Sequence, residues 1–174
     1  MNTVAQDLRP GLRDAVPWFG TLARLVLGIV WIVAGSAKIT DLEASVRAVR
    51  AYRLLPEALA QVVGAGLPPA ELLLGVLLVV GLGVRASAVV SALLMAAFVV
   101  GIASAWARGL RIDCGCFGDG GELAAGEDPA YGWDLLRDAA LLALSVALAR
   151  WPRGRFGIDG ALDARRERRD QEEQ

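Results

Sequence analysis

The sequence predicts an all-α integral membrane protein, a compact four-transmembrane-helix bundle with an external Cys-x-Cys loop. Ala86 to Trp106 supplies 21 residues without a charge, enough helix to cross roughly 30 Å of hydrocarbon. Other apolar stretches, around Trp18 to Ala37, Leu67 to Val84 and Trp133 to Trp151, have comparable lengths. The only cysteines are Cys114 and Cys116, in the Gly-rich, acidic segment between the last two stretches. A buried helix of a soluble bundle is the competing explanation of the uncharged run.

Residues 1–17 are polar and mixed, with Pro10, Gly11 and Pro17, and read as a membrane-surface or mobile segment. The membrane domain is placed at 18–151, starting with a span from Trp18 to Ala37 that contains Arg24 and is followed by Lys38. Small residues at Val33-Ala34-Gly35 also fit a signal-peptide cleavage point. The later apolar runs favour a retained anchor.

Lys38 to Glu57 is too charged to span. Arg47, Arg50 and Arg53 recur every third residue opposite Val46, Val49 and Leu54, the pattern of a short interfacial helix ending before Pro56. Ala58 to Ala65 reads as another short helix. Pro68 and Pro69 then fit the first turn of the second span, where a missing N–H is tolerated, and would break a helix if placed inside it. Glu71 consequently falls one turn into that span. The third span is Ala86 to Trp106, and the fourth has Arg137 and Asp138 near one end, Arg150 at the other, and tryptophans at both boundaries. Residues 152–174 read as a charged cytoplasmic tail.

Four spans put both termini on one side. Arg85 between spans two and three, with Arg150, Arg153 and Arg155 in the tail, assigns that side to the cytoplasm and the Cys114–Cys116 loop to the extracytoplasmic side of a bacterial-type cytoplasmic membrane. Lys38, Arg47, Arg50 and Arg53 in the first loop argue the other way. An external loop permits disulfides to persist. Gly28, Gly35, Gly75, Gly81 and Ala92 are small enough for close helix approach.

With 18 basic and 19 acidic residues, the chain offers no basic surface for nucleic acid. The tail cluster Arg165, Arg166, Arg168 and Arg169 is mixed with acidic residues and reads as a solvated tail. The chain has no histidine, and nothing completes a metal site around the two cysteines, so no metal is expected. A serine–histidine triad, phosphate loop and dinucleotide fingerprint are also missing.

One residue separates the two thiols, so a disulfide needs a turn through Gly115, which lacks a Cβ and enters positive φ freely. Gly118 serves the same need after Phe117. A ring this small is strained and therefore labile, suited to exchange in which one cysteine attacks a partner and the other resolves the mixed disulfide. Cys114 is the expected exchanger and Cys116 the resolver. The acidic loop argues for exposed sulfurs, and Asp113 beside Cys114 is expected to raise its pKa. Alternatives are a structural disulfide, a pair of buried thiols and metal binding.

Several segments together resemble the DoxX-like/MauE family of redox-associated membrane proteins: Arg24-Leu25-Val26-Leu27-Gly28, Ala34-Gly35-Ser36-Ala37-Lys38, Tyr52-Arg53-Leu54-Leu55-Pro56, Pro69-Ala70-Glu71 and Cys114-Gly115-Cys116-Phe117-Gly118. The resemblance covers residues 19–151. It implies a membrane helper of extracytoplasmic thiol–disulfide exchange, working with a thioredoxin-like or other dithiol protein. One branch of the family is associated with maturation of methylamine dehydrogenase, and nothing in this sequence itself shows methylamine metabolism. Four-helix quinone-linked disulfide oxidases invite comparison too, but their second cysteine pair is absent here. Either the short pair performs both exchanges or a partner supplies another dithiol.

Charges within the spans are costly unless paired or facing a polar cavity. An Arg24–Glu71 pair between the first two spans is the expected solution. If a quinone binds, Arg24 or Lys38 stabilises developing negative charge, Glu71 moves protons, and Phe117 or Trp133 contacts the ring. Interfacial packing is the plainer role for both aromatics, and Asp134, Arg137 and Asp138 read as a helix-end charge network. The leading function is a thiol–disulfide oxidoreductase or electron-transfer subunit; an assembly or scaffold subunit and, third, a small-solute transporter compete with it.

Overall fold

The computed structural model describes residues 10–116, 120–124, 126–152, 157–159, 169 and 171, with side chains from Trp18 onward. Phe117, Gly118, the first nine residues and most of the tail, including Arg165, Arg166 and Arg168, lie outside the described residues.

Five helices follow in order: α1 (Pro10–Lys38), α2 (Leu42–Ala51), α3 (Glu57–Val80), α4 (Val84–Ala107) and α5 (Tyr131–Arg150). Between α4 and α5, β1 (Ile112–Asp113) pairs antiparallel with β2 (Gly121–Glu122). The bundle consists of α1, α3, α4 and α5, with α1 packed chiefly on α3 and α4 on α5, while α2 lies against α3 and β2. Among the described residues, Trp18–Lys38, Glu57–Val80 and Val84–Ala107 are long and apolar enough to cross a membrane. The protein is an all-α membrane protein, and its outer surface agrees: Leu22, Ile29, Leu73, Leu93, Val100 and Leu136 are exposed, whereas Lys38, Glu71 and Asp138 are buried.

Two boundaries differ from the sequence expectation. The first span starts at Trp18 as expected, but its helix extends back to Pro10, a position where proline's missing N–H costs nothing. The second difference is larger: α3 runs unbroken from Glu57 to Val80 with Pro68 and Pro69 inside it. Pro68 cannot donate to the Gly64 carbonyl one turn earlier. The Ser45 hydroxyl on α2 donates to that carbonyl instead, at 2.8 Å, so a neighbouring helix satisfies what the proline frees. Gly64 also admits α2 closely, because a Cβ there would collide with the Val46 backbone. Ser45→Ala should lower stability by about 1–3 kcal/mol, the cost of a buried acceptor left unmatched. Thermal unfolding in detergent checks this, and an unchanged midpoint would mean that Pro68 needs no such compensation.

The glycines expected to allow close approach do so between α1 and α3. A Cβ on Gly28 would meet the Gly75 carbonyl oxygen at 2.9 Å, and one on Gly75 would meet the Gly28 carbonyl oxygen at 2.8 Å. Gly35 similarly abuts the Pro68 carbonyl. Gly81, by contrast, ends α3 in a left-handed cap at φ +74°. Deeper in the bundle, Trp31 Nε1 donates to Ser91 Oγ at 2.9 Å, Ser91 and Ser145 share a 2.9 Å hydrogen bond, and Ser145 donates to the Leu141 carbonyl at 2.8 Å. This polar chain links α1, α4 and α5 through an otherwise apolar core.

Arg24 is buried at the end of the bundle opposite the cysteine loop. Its guanidinium lies against Gly81 and Gly157, with Asp159 nearby. Asp159 accepts from the Gly83 and Val84 N–H groups at 2.9 Å each, completing the start of α4.

Candidate functional site

The site forms where the α4–α5 connection folds back over the bundle. Tyr131, the first residue of α5, donates its hydroxyl to the Leu110 carbonyl at 2.6 Å and accepts from the Ile112 N–H at 3.1 Å. It thereby holds the strand leading into the cysteines. From α2's end, Tyr52 donates to the Cys114 carbonyl at 3.0 Å, and burial followed by the nearby thiols pushes the Tyr52 hydroxyl pKa upward, so it stays a donor.

Gly115 takes φ +68°, the positive-φ turn expected for a disulfide across this spacing, although the two thiols are free. A Cβ here would stand 3.0 Å from both Ala48 Cβ and Gly120 Cα, so packing as well as backbone conformation calls for glycine. Asp113 Oδ1 accepts the Gly115 N–H at 3.1 Å, closing the turn.

That turn directs both thiols inward. Cys114 and Cys116 are each only 8% exposed and are free thiols, contrary to the expectation of sulfurs open to the acidic loop. The reason lies in α5, whose Asp134, Arg137 and Asp138 share one face by their i, i+3 and i+4 spacing. Asp134 and Asp138 are buried there beneath the loop. Arg137 lies 3.3 Å from Asp134 and binds Asp138 at 2.9 Å, and its Nη2 reaches Cys114 Sγ at 3.6 Å. Cys116 donates from Sγ toward Asp138 Oδ2 at 3.9 Å.

The two sulfurs therefore differ electrostatically. Cys114 accepts from the Cys116 N–H at 3.4 Å and from Arg137 at 3.6 Å, and it competes with Asp138 Oδ2 for the single proton of the Cys116 thiol. The Cys116 thiol is the largest influence, and together these donors outweigh burial and Asp134 to lower the Cys114 pKa. This is opposite to the effect expected from Asp113, because the donors around Cys114 dominate. Cys116 is raised by donating to Cys114, by burial and by Asp138. Cys114 therefore ionises more readily than Cys116.

The remaining site candidates are divided between distant positions. Glu71 pairs with Lys38, at 2.6 Å, with both side chains buried, correcting the expected Arg24–Glu71 pair. Along α1, Arg24 and Lys38 are separated by about 21 Å of helix, too far to act on one quinone headgroup. Trp133 is 66% exposed and faces outward, leaving it a boundary residue rather than a cover for the thiols. Tyr52, Tyr131, Arg137 and Asp138 enter the site without having been singled out as its members. Three charges within one turn of a weak span were the available signal for the last two.

Fold and site thus define a polytopic helical membrane protein that carries a thiol pair in a loop tucked over one end of its bundle. The chain belongs to the MauE family: the family model described as methylamine utilisation protein MauE matches residues 16–151. It is 33% identical over 127 residues to the methylamine utilization protein MauE of Paracoccus denitrificans, across 72% of this chain and 66% of that protein. The matched part spans just under two thirds of that relative. No solved structure matches the chain.

Proposed function

We propose that this protein is a membrane thiol–disulfide exchange component that passes electrons to or from an external thioredoxin-like or other dithiol protein. The asymmetry of Cys114 and Cys116 carries this reading. In the direction that reduces the partner, Cys114 thiolate attacks the partner disulfide, forming a mixed disulfide and releasing one partner thiolate. Cys116 then attacks Cys114 Sγ, releasing the second partner thiolate and leaving a Cys114–Cys116 disulfide. The reverse sequence oxidises the partner. Burial of the sulfurs means that the partner must displace the loop to reach Cys114.

A single pair has to be regenerated by another redox partner, either a second dithiol protein or a quinone in the surrounding lipid. The charge distribution supports cytoplasmic termini and an extracytoplasmic cysteine loop. The name of the family makes cells using methylamine the first place to seek the trapped partner.

Cys116→Ser should accumulate a mixed disulfide through Cys114 in native membranes, and Cys114→Ser should not. Mass spectrometry of the trapped species identifies the partner. If neither variant traps a protein and the wild-type pair never changes redox state, the exchange reading fails. Burial of both sulfurs and the two tyrosine anchors favour a second reading, an assembly subunit whose loop is structural. In that case serine substitution dissolves a complex while no exchange is found.

A further inference from the structure

A narrow cavity lies in the bundle against Cys116 from the loop, Asp138 from α5 and Glu71 from α3. Its volume is about 10 Å³, the room needed for one water. Trp31, Met95 and Phe98 supply apolar walls, and the Trp31 N–H is already committed to Ser91. Glu71 is 1% exposed. Its Oε1 engages Lys38, whereas buried Oε2 has no hydrogen-bond partner among the described residues. Asp138 turns Oδ1 to Arg137 and Oδ2 to the Cys116 thiol.

We propose that one water in this cavity connects Asp138 to Glu71 Oε2, making the two carboxylates a buried proton-loading site for Cys116. This rests on the exchange reading above. When Cys116 attacks the mixed disulfide, its S–H proton passes to Asp138 and through the water to Glu71. The new Cys114–Cys116 bond forms as the partner thiolate leaves, and that thiolate takes its proton from external solvent. One proton is therefore retained inside the bundle for each disulfide formed and returns to Cys116 on reduction.

Charge supports this assignment. Once disulfide formation has removed the Cys114 thiolate, Asp134, Asp138 and Glu71 face Arg137 and Lys38, so one carboxylate is in excess. Holding one proton then neutralises the oxidised set, which an environment of low dielectric favours. Arg24, the other buried cation of the membrane domain, sits near Gly81 and Asp159 at the opposite end.

The test uses the full chain in lipid nanodiscs, cycled with diamide as oxidant and dithiothreitol as reductant so that no physiological partner is needed. Redox-difference infrared spectra should show a protonated-carboxyl band on oxidation that shifts in D2O. The band should disappear in the charge-balanced Lys38→Met/Glu71→Gln variant and in Asp138→Asn. The latter should also close its disulfide at least about tenfold more slowly, the loss of a positioned proton acceptor. A cycling wild type without the band, or a band that survives in the double variant, overturns the relay and leaves thiol exchange standing. A pair that never cycles removes the exchange reading and the relay together.

Discussion

Glu71→Leu should destabilise the folded protein by about 3–5 kcal/mol, because it leaves the buried Lys38 ammonium without its counter-charge. Both side chains are nearly inaccessible, at 4% for Lys38 and 1% for Glu71, so bulk solvent cannot compensate. Lys38→Met should cost a similar amount by stranding the carboxylate. The double variant Lys38→Met/Glu71→Leu should regain most of that loss, since removing both charges also removes their desolvation cost. Thermal or denaturant unfolding in a single detergent gives all four corners of the cycle. Additive losses in the double variant would show that the two charges act independently, contrary to their 2.6 Å contact.

That pair also shows what the sequence could and could not disclose. Apolar run lengths identified three membrane helices, α1, α3 and α4, because hydrocarbon thickness sets a length requirement that is readable residue by residue. Helix α5, the expected fourth span, is not apolar enough to join them among the described residues. Partner choice depends on three-dimensional register. Arg24 and Lys38 both belong to α1, and only the packing of α1 against α3 places Lys38, rather than Arg24, beside Glu71. Pro68 presents the same difficulty: local chemistry predicts a helix start, while the compensating Ser45 hydroxyl comes from another helix. At the loop, the turn through Gly115 followed from the cysteine spacing. Its inward orientation depended on Tyr52, Tyr131 and Arg137, which approach from α2 and α5. The nearest charge in sequence, Asp113, misled about Cys114 because the groups that decide its pKa, Cys116 and Arg137, are brought there by the turn and by α5.

Cys114 should be alkylated at least about tenfold faster than Cys116 near neutral pH, since thiolate rather than thiol is the nucleophile. The two residues are equally exposed as wholes, 8% each, and their different protonation is the expected source of the difference. For Cys114, the Cys116 thiol donor is the main cause of a pKa below the ordinary thiol value, helped by the Cys116 N–H and Arg137. Its alkylation rate should therefore rise with pH and level off through a midpoint below that of an unperturbed cysteine. Cys116 should react appreciably only at higher pH, because donation to Cys114, burial and Asp138 all hold its proton. Variants separate these causes. Cys116→Ser keeps a hydroxyl donor and should retain much of the Cys114 reactivity at neutral pH, whereas Cys116→Ala removes the donor and should move the midpoint upward. Arg137→Gln should also move it upward by deleting the neighbouring cation. Site-resolved mass spectrometry of iodoacetamide labelling across pH measures both sulfurs at once. Faster labelling of Cys116, or identical Cys114 profiles in the serine and alanine variants, would reject the donor-based asymmetry. The serine–alanine comparison is the sharper one, since both substitutions remove the second thiol but only alanine also removes the hydrogen-bond donor.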